Sequence, residues 1–234
     1  ADMVKKKKTS AYRHLPRRLE IVYEDADLLV VDKPAGLLTE GTGNQKTRTA
    51  RYILTDYVRK GALKSRKEVF TVHRLDQWTS GVLVFAKRLE VKELLQEQWP
   101  QVEKKYLAVV HGQPAQKEGT IRSYLAEDKK YHMYSTKDPA QGKLAQTEYK
   151  VLKETAQFSL LEVKLLTGRK NQIRVHLADL GHPVVGDRKY GQSGREYPRL
   201  ALHALSISFR HPSRGEPMTF ETQVPGYLTK LMRG

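Results

Sequence analysis

The run Gly81–Lys87, GVLVFAK, constrains the fold more than any other stretch of this chain. Five consecutive apolar residues bounded by a glycine and a lysine suit a strand covered on both faces, because a helix needs about ten residues or more. A strand of that kind has to lie inside a sheet. Similar short, branched runs recur along the sequence. IVYEDADLLVVDKP reads as strand, acidic turn and strand, with Pro34 ending the second run. VFTVHRLD, KKYLAVVHG, LALHALSISF and MTFETQV read as further strands, and residues 119–166 as a hairpin-rich middle.

Helical spacing appears in fewer places. Ala50, Ile53, Leu54, Tyr57 and Val58 share one face, with Gly61 as the expected cap. EVKELLQEQW is amphipathic, NQIRVHLADLG repeats Ile173, Leu177 and Leu180 before Gly181, and GYLTKLM supplies a short last helix. GLLTEGTGNQ is expected to be a loop. Strands joined by short turns outnumber helices, so the expectation is an α/β (α+β) fold with a mixed, largely antiparallel sheet and flanking helices. No internal repeat is visible, and residues 19–234 read as one domain behind a flexible basic arm, residues 1–18.

Charge points to the partner. In that arm seven cations, Lys5, Lys6, Lys7, Lys8, Arg13, Arg17 and Arg18, stand against Asp2 alone. The rest of the chain still carries +10 of the formal +16, so the body is basic without its arm. Such a surface suits a polyanion, nucleic acid first. Apolar runs stay far below the ~20 residues of a membrane span, and no signal-peptide segment opens the chain. With no cysteines, disulfides and thiolate metal sites are excluded. The histidines form no HExxH, and GTG at 41–43 lacks the rest of a dinucleotide or phosphate loop. The reading is a cytoplasmic, monomeric protein that binds RNA, with no membrane, metal or nucleotide cofactor.

Against that background Asp76, in HRLDQWTSG, stands out. If VFTVHRLD is extended, Arg74 and Asp76 project from one face. A local Arg74–Asp76 salt bridge or a turn-capping carboxylate would account for the pair. A carboxylate at the end of a rigid element, kept ionised by a guanidinium, would also serve as nucleophile or base. Arg169, Lys170, Arg188 and Lys189 fall on loop and helix-start positions that suit phosphate. Arg174, between Ile173 and Val175, would be partly buried and need a carboxylate. Tyr106 is either a half-buried core aromatic or a stacking surface for an extruded base.

Taken in order, the blocks YEDADLLVVDKPAGLLT, HRLDQWTSGVLVFAK, KKYLAVVHG, TGRKNQIRVHLADLGHPVVGDRKYG and LHALSISFRHP resemble the RluA-type family of RNA pseudouridine synthases. The resemblance runs from about residue 19 to the C-terminus and covers the catalytic domain. The basic arm occupies the place where many members carry a small S4-like domain. The resemblance implies an isomerase that converts uridine in ribosomal or transfer RNA stem-loops to pseudouridine without cofactor. It implies Asp76 as the catalytic aspartate, Arg74 as the residue entering the RNA stack, Tyr106 as the active-site tyrosine and Arg174 as the cation paired with the aspartate. Two departures are visible: Asn171 stands where relatives commonly have histidine in GRTHQIR, and LLTEGTG follows KPAG where a histidine and proline are common. The Asn171 substitution bears on whatever RNA contact that histidine makes. A non-catalytic RNA-binding protein on the same scaffold, or a base-removing N-glycosidase, are the competing readings.

Overall fold

The computed structural model describes residues 19–233 apart from 42, 61, 63 and 192–196, so the basic arm lies outside the described residues. Two compact units emerge, one from Ala1–Trp99 with Arg210–Thr222 and one from Pro100–Phe209 with Gln223–Gly234. Among the described residues no helix is long and apolar enough to cross a membrane.

In the first unit, β1 (Glu20–Glu24) and β2 (Leu28–Lys33) form the expected hairpin. Its acidic turn works because Asp25 accepts the backbone N–H groups of Asp27 and Leu28 at 2.8 and 2.7 Å. The same carboxylate takes Nε2 of His211 at 2.9 Å, so the FRHP segment returns to this turn. β2 pairs antiparallel with β4 (Ser80–Ala86), and every residue of β4 is buried. Burying side chains such as Leu83 and Phe85 is worth about 1.5–3 kcal/mol each, in keeping with the unbroken apolar run over residues 82–86. α1 (Ala50–Arg59) starts at Thr49, whose hydroxyl accepts the Tyr52 N–H at 3.2 Å, and buries Ala50, Leu54 and Val58. Its left-handed cap falls on Lys60 (φ 51°), and Gly61, the expected cap, lies outside the described residues. The expected loop over residues 36–45 ends in a 3-10 helix, Gly43–Arg48. α2 (Leu89–Glu97) follows β4 as expected.

The expectation for VFTVHRLD has to be corrected. Only Phe70–Thr71, β3, pairs with β4, and residues 72–76 leave the sheet. The cause is His73, whose Nε2 accepts the Val84 N–H at 3.1 Å and takes up a ladder donor. Asp76 therefore sits in a loop, not on a strand face shared with Arg74.

The second unit is an antiparallel sheet in the order β10–β5–β9–β8–β6–β7. Its strands are β5 (Glu103–His111), β6 (Glu118–Glu127), β7 (Met133–Thr136), β8 (Lys143–Glu154), β9 (Phe158–Leu165) and β10 (Leu202–Arg210). α3 (Gln172–Asp179) ends as expected near Gly181 (φ 85°), and α4 (Gly226–Leu231) matches the last predicted helix. Val175 of α3 joins a buried cluster with Leu125, Met133 and Ala145. The late strand β11 (Pro217–Glu221) belongs to the first unit.

Candidate active site

The Asp76 segment is held from both sides through its main chain. Thr39 Oγ1 donates to Leu75 O at 2.9 Å and accepts the Leu75 N–H at 3.2 Å, both buried. On the other side, Gly36 N–H donates to Gln77 O at 2.8 Å, and the Gln77 amide returns a bond to Gly36 O at 3.1 Å. Gly36 has φ +94°, and a Cβ there would also touch the Trp78 ring at 3.4 Å, so glycine suits the position. The Asp76 carbonyl closes the turn by accepting Thr79 N–H at 3.1 Å.

The centre of this clamp is Lys33, which sequence reading missed. It is fully buried, and its Nζ donates to Pro34 O, Leu37 O and Gln77 O at 3.1, 2.7 and 3.1 Å. Three acceptors match the three N–H groups of an ammonium. Burial pushes its pKa down to about 7, while the charges of Asp76 and Asp32 act to raise it. A strand lysine thus shares an electrostatic interaction with Asp76. Arg74 is exposed and has no hydrogen bond or ion pair among the described residues, so the local salt bridge is absent. A lysine inside the apolar run LLVVDK, directly before PAG, was the available signal.

In the second unit, Arg174 lies on α3 with only 13% of its side chain exposed. Its Nε and one terminal nitrogen donate to the two carboxylate oxygens of Asp187 at 2.7 and 2.8 Å. Asp187 also accepts the N–H groups of Lys189 and Tyr190 at 2.9 and 3.0 Å. Burial raises its carboxyl pKa, but the Arg174 bond and charge and the two backbone donors outweigh that and hold it below the usual range. The Tyr190 ring lies 5.0 Å from the Arg174 guanidinium, and its hydroxyl donates to Asn171 Oδ1 at 3.0 Å. Asn171 adopts φ 54° at the helix start, a conformation asparagine accepts more readily than most residues. The carboxylate that Arg174 needed is therefore present, in a residue the sequence reading did not single out.

Other expected residues have mixed surroundings. Tyr106 is buried in β5, opposite Ala204 on one side and Val163 on the other. The Arg169 N–H is taken by Gln172 Oε1 at 3.0 Å, and its Nε donates to Leu144 O at 3.0 Å. Lys170 ion-pairs with Glu127, Lys189 Nζ donates to Tyr131 O at 2.6 Å, and Arg188 is exposed. The Arg169 N–H at this helix start is thus engaged within the chain. Gln172 explains this: it is buried, and its amide also binds Thr167, Gln146 and Thr147. His176 is likewise internal, between Thr147 and Ser123 hydroxyls at 2.8 and 3.0 Å.

Residues 27–179, which include the Asp76 loop and all of α3, match the model of the RNA pseudouridylate synthases, and the chain belongs to that family of isomerases. It is 37% identical over 220 residues to "Uncharacterized RNA pseudouridine synthase YhcT" of Bacillus subtilis, covering 92% of this chain and 72% of that protein. It is also 37% identical over 234 residues to "Ribosomal large subunit pseudouridine synthase D" of Pseudomonas aeruginosa, covering 92% and 72%. Among solved structures, "Human RNA Pseudouridylate Synthase Domain Containing 4" superposes with a TM-score of 0.75 at 25% identity over 90% of both chains.

Proposed function

We propose that this enzyme isomerises uridine in a ribosomal RNA stem-loop to pseudouridine, with Asp76 as the reacting carboxylate. The observation that carries the proposal is the two-sided main-chain clamp on the Asp76 segment, because a reacting group has to be held in place before substrate arrives. The ribosomal target follows the name of the Pseudomonas aeruginosa relative; transfer RNA remains the alternative class.

The chemistry breaks N1–C1′, turns the base and joins C5 to C1′. Nothing is oxidised or consumed, so the reaction asks for no cofactor. The Asp76 carboxylate either attacks C1′, as in retaining glycoside cleavage, or removes a sugar proton to give a glycal. Either route needs the uridine outside its stack, at a cost of a few kcal/mol, and needs water excluded so that the detached base is not lost. Exposed Arg74 enters the stack as the uridine leaves. Tyr106 and Arg174 are assigned by the motifs they occupy, Tyr106 for stacking and Arg174 as a cation for the aspartate. Arg169, Lys170, Asn171, Arg188 and Lys189 serve RNA binding, and residues 19–234 form the catalytic region of a cytoplasmic monomer.

The test is nucleoside analysis of unmodified ribosomal and transfer RNA transcripts after incubation with wild type or Asp76→Asn, without metal or nucleotide. Pseudouridine with wild type alone is expected, with RNA binding and melting temperature kept in the variant. Release of free uracil would indicate an N-glycosidase instead. Pseudouridine formed equally well by Asp76→Asn would remove the carboxylate from the reaction.

A further inference from the structure

Tyr131 breaks two local rules at once. It is the most exposed large apolar side chain among the described residues, at 72%, and it holds a left-handed backbone at φ 60°. An aromatic residue in that conformation is strained, and leaving its ring in water forgoes the gain of burial. A position that departs from local preference in this way is a candidate for another purpose.

The turn that displays the ring is firmly built. Asp128 N–H donates to His132 O at 2.9 Å and Tyr131 N–H to Asp128 O at 3.0 Å. The Asp128 carboxylate accepts the N–H groups of Lys130 and His132, both at 2.8 Å. Cations surround it. Lys170 Nζ lies 5.7 Å from the ring centroid, Lys189 Nζ binds the Tyr131 carbonyl, and exposed Lys129 and Lys130 precede it. Lys170 also lines a cavity of about 570 Å³ with Lys143 and Arg169.

We propose that Tyr131 is a stacking platform for an unpaired base of the RNA substrate, with Lys129, Lys130, Lys170 and Lys189 taking the adjoining phosphates. Single-strand binding combines such a ring with a cationic surround, because every base offers a π-face and every linkage a charge. The ring selects unpaired RNA, and the lysines do not. This rests on the reading of RNA as substrate, although its test does not depend on turnover.

The experiment measures dissociation constants of the full chain for a hairpin RNA with an unpaired loop and for a fully paired duplex of the same length, over a range of salt. Tyr131→Ala should weaken hairpin binding by roughly 5- to 100-fold and leave duplex binding and the slope of log affinity against log salt unchanged. Tyr131→Phe should bind as wild type. Lys129→Ala with Lys130→Ala should instead flatten the salt slope for both RNAs. Equal losses on hairpin and duplex, or no loss on the hairpin, would overturn the platform. Pseudouridine analysis of the same hairpin with wild type keeps the questions apart: no product there counts against the isomerase reading, while the hairpin–duplex difference still decides Tyr131.

Discussion

In the first unit the segment bearing Asp76 is fixed through its main chain, by Thr39 on Leu75 and by Lys33 and Gly36 on Gln77, whereas in the second unit Arg174 is fixed through its side chain, by Asp187. The first arrangement leaves the Asp76 carboxylate out of the holding bonds just described and spends one buried ammonium on three carbonyls. The second joins two opposite charges, with one member fully buried. A main-chain clamp survives changes in the side chains it carries, and losing its one amine removes only the Lys33 half of it. A charge pair fails when either partner goes, and it leaves the other partner buried and uncompensated.

That contrast is most severely tested at Asp187. Asp187→Ala should destabilise the second unit by about 3–5 kcal/mol, read from urea unfolding, because Arg174 and two N–H groups lose their acceptor. A loss under about 1 kcal/mol would mean that the pair behaves as a surface ion pair. Lys33→Met comes next. It should cost about 1–3 kcal/mol, since three carbonyls lose a donor while a desolvated charge is also removed. Its larger signature should be a slower single-turnover isomerisation with RNA affinity kept. Thr39→Val is smaller, about 1–2 kcal/mol, and leaves the Lys33 half of the clamp intact. Thr39→Ser should restore the lost stability.

Acidity offers a way to sharpen the comparison. Lys33 titrates near pH 7 when folded and at 10.5 when unfolded. Below pH 7 both states carry the proton and its contribution is flat. From 7 to 10.5 the unfolded chain binds more protons, so stability rises with pH. Lys33→Met should lack that rise in unfolding curves taken between pH 6.5 and 9.5. Wild type lacking it too would show that the carbonyls keep the ammonium form throughout. In the second unit burial, with the Arg199 charge, holds His203 at about 4, against 6.5 for the free side chain. Its contribution is therefore flat above pH 6.5 and falls as pH drops toward 4, and His203→Gln should blunt that acid loss.

How far the sequence revealed all this depends on the range of the interaction. β4, α2 and α3 follow from periodicity within a few residues, and the structure has them where the pattern put them. VFTVHRLD deceived because the alternation was right while His73, reaching Val84, displaced the ladder. Lys33 was hidden for a similar reason: one of its partners, Gln77, lies 44 residues away, and its place in LLVVDK hinted at burial without showing what it binds. Asp187 stands 13 residues from Arg174, so the need for a carboxylate was legible but its address was not. Asn171 was singled out for RNA; the Tyr190 hydroxyl that its side chain also takes and its helix-start backbone were not legible in the sequence.

Lys33 has one more consequence, for labelling chemistry. It is an amine with no surface of its own, so an acylating reagent reaches it only when the segments that cover it, 34–37 or the Asp76 loop, open. The slow appearance of modified Lys33, against rapid modification of exposed lysines such as Lys129 and Lys130, would time that opening in the native protein without any introduced probe.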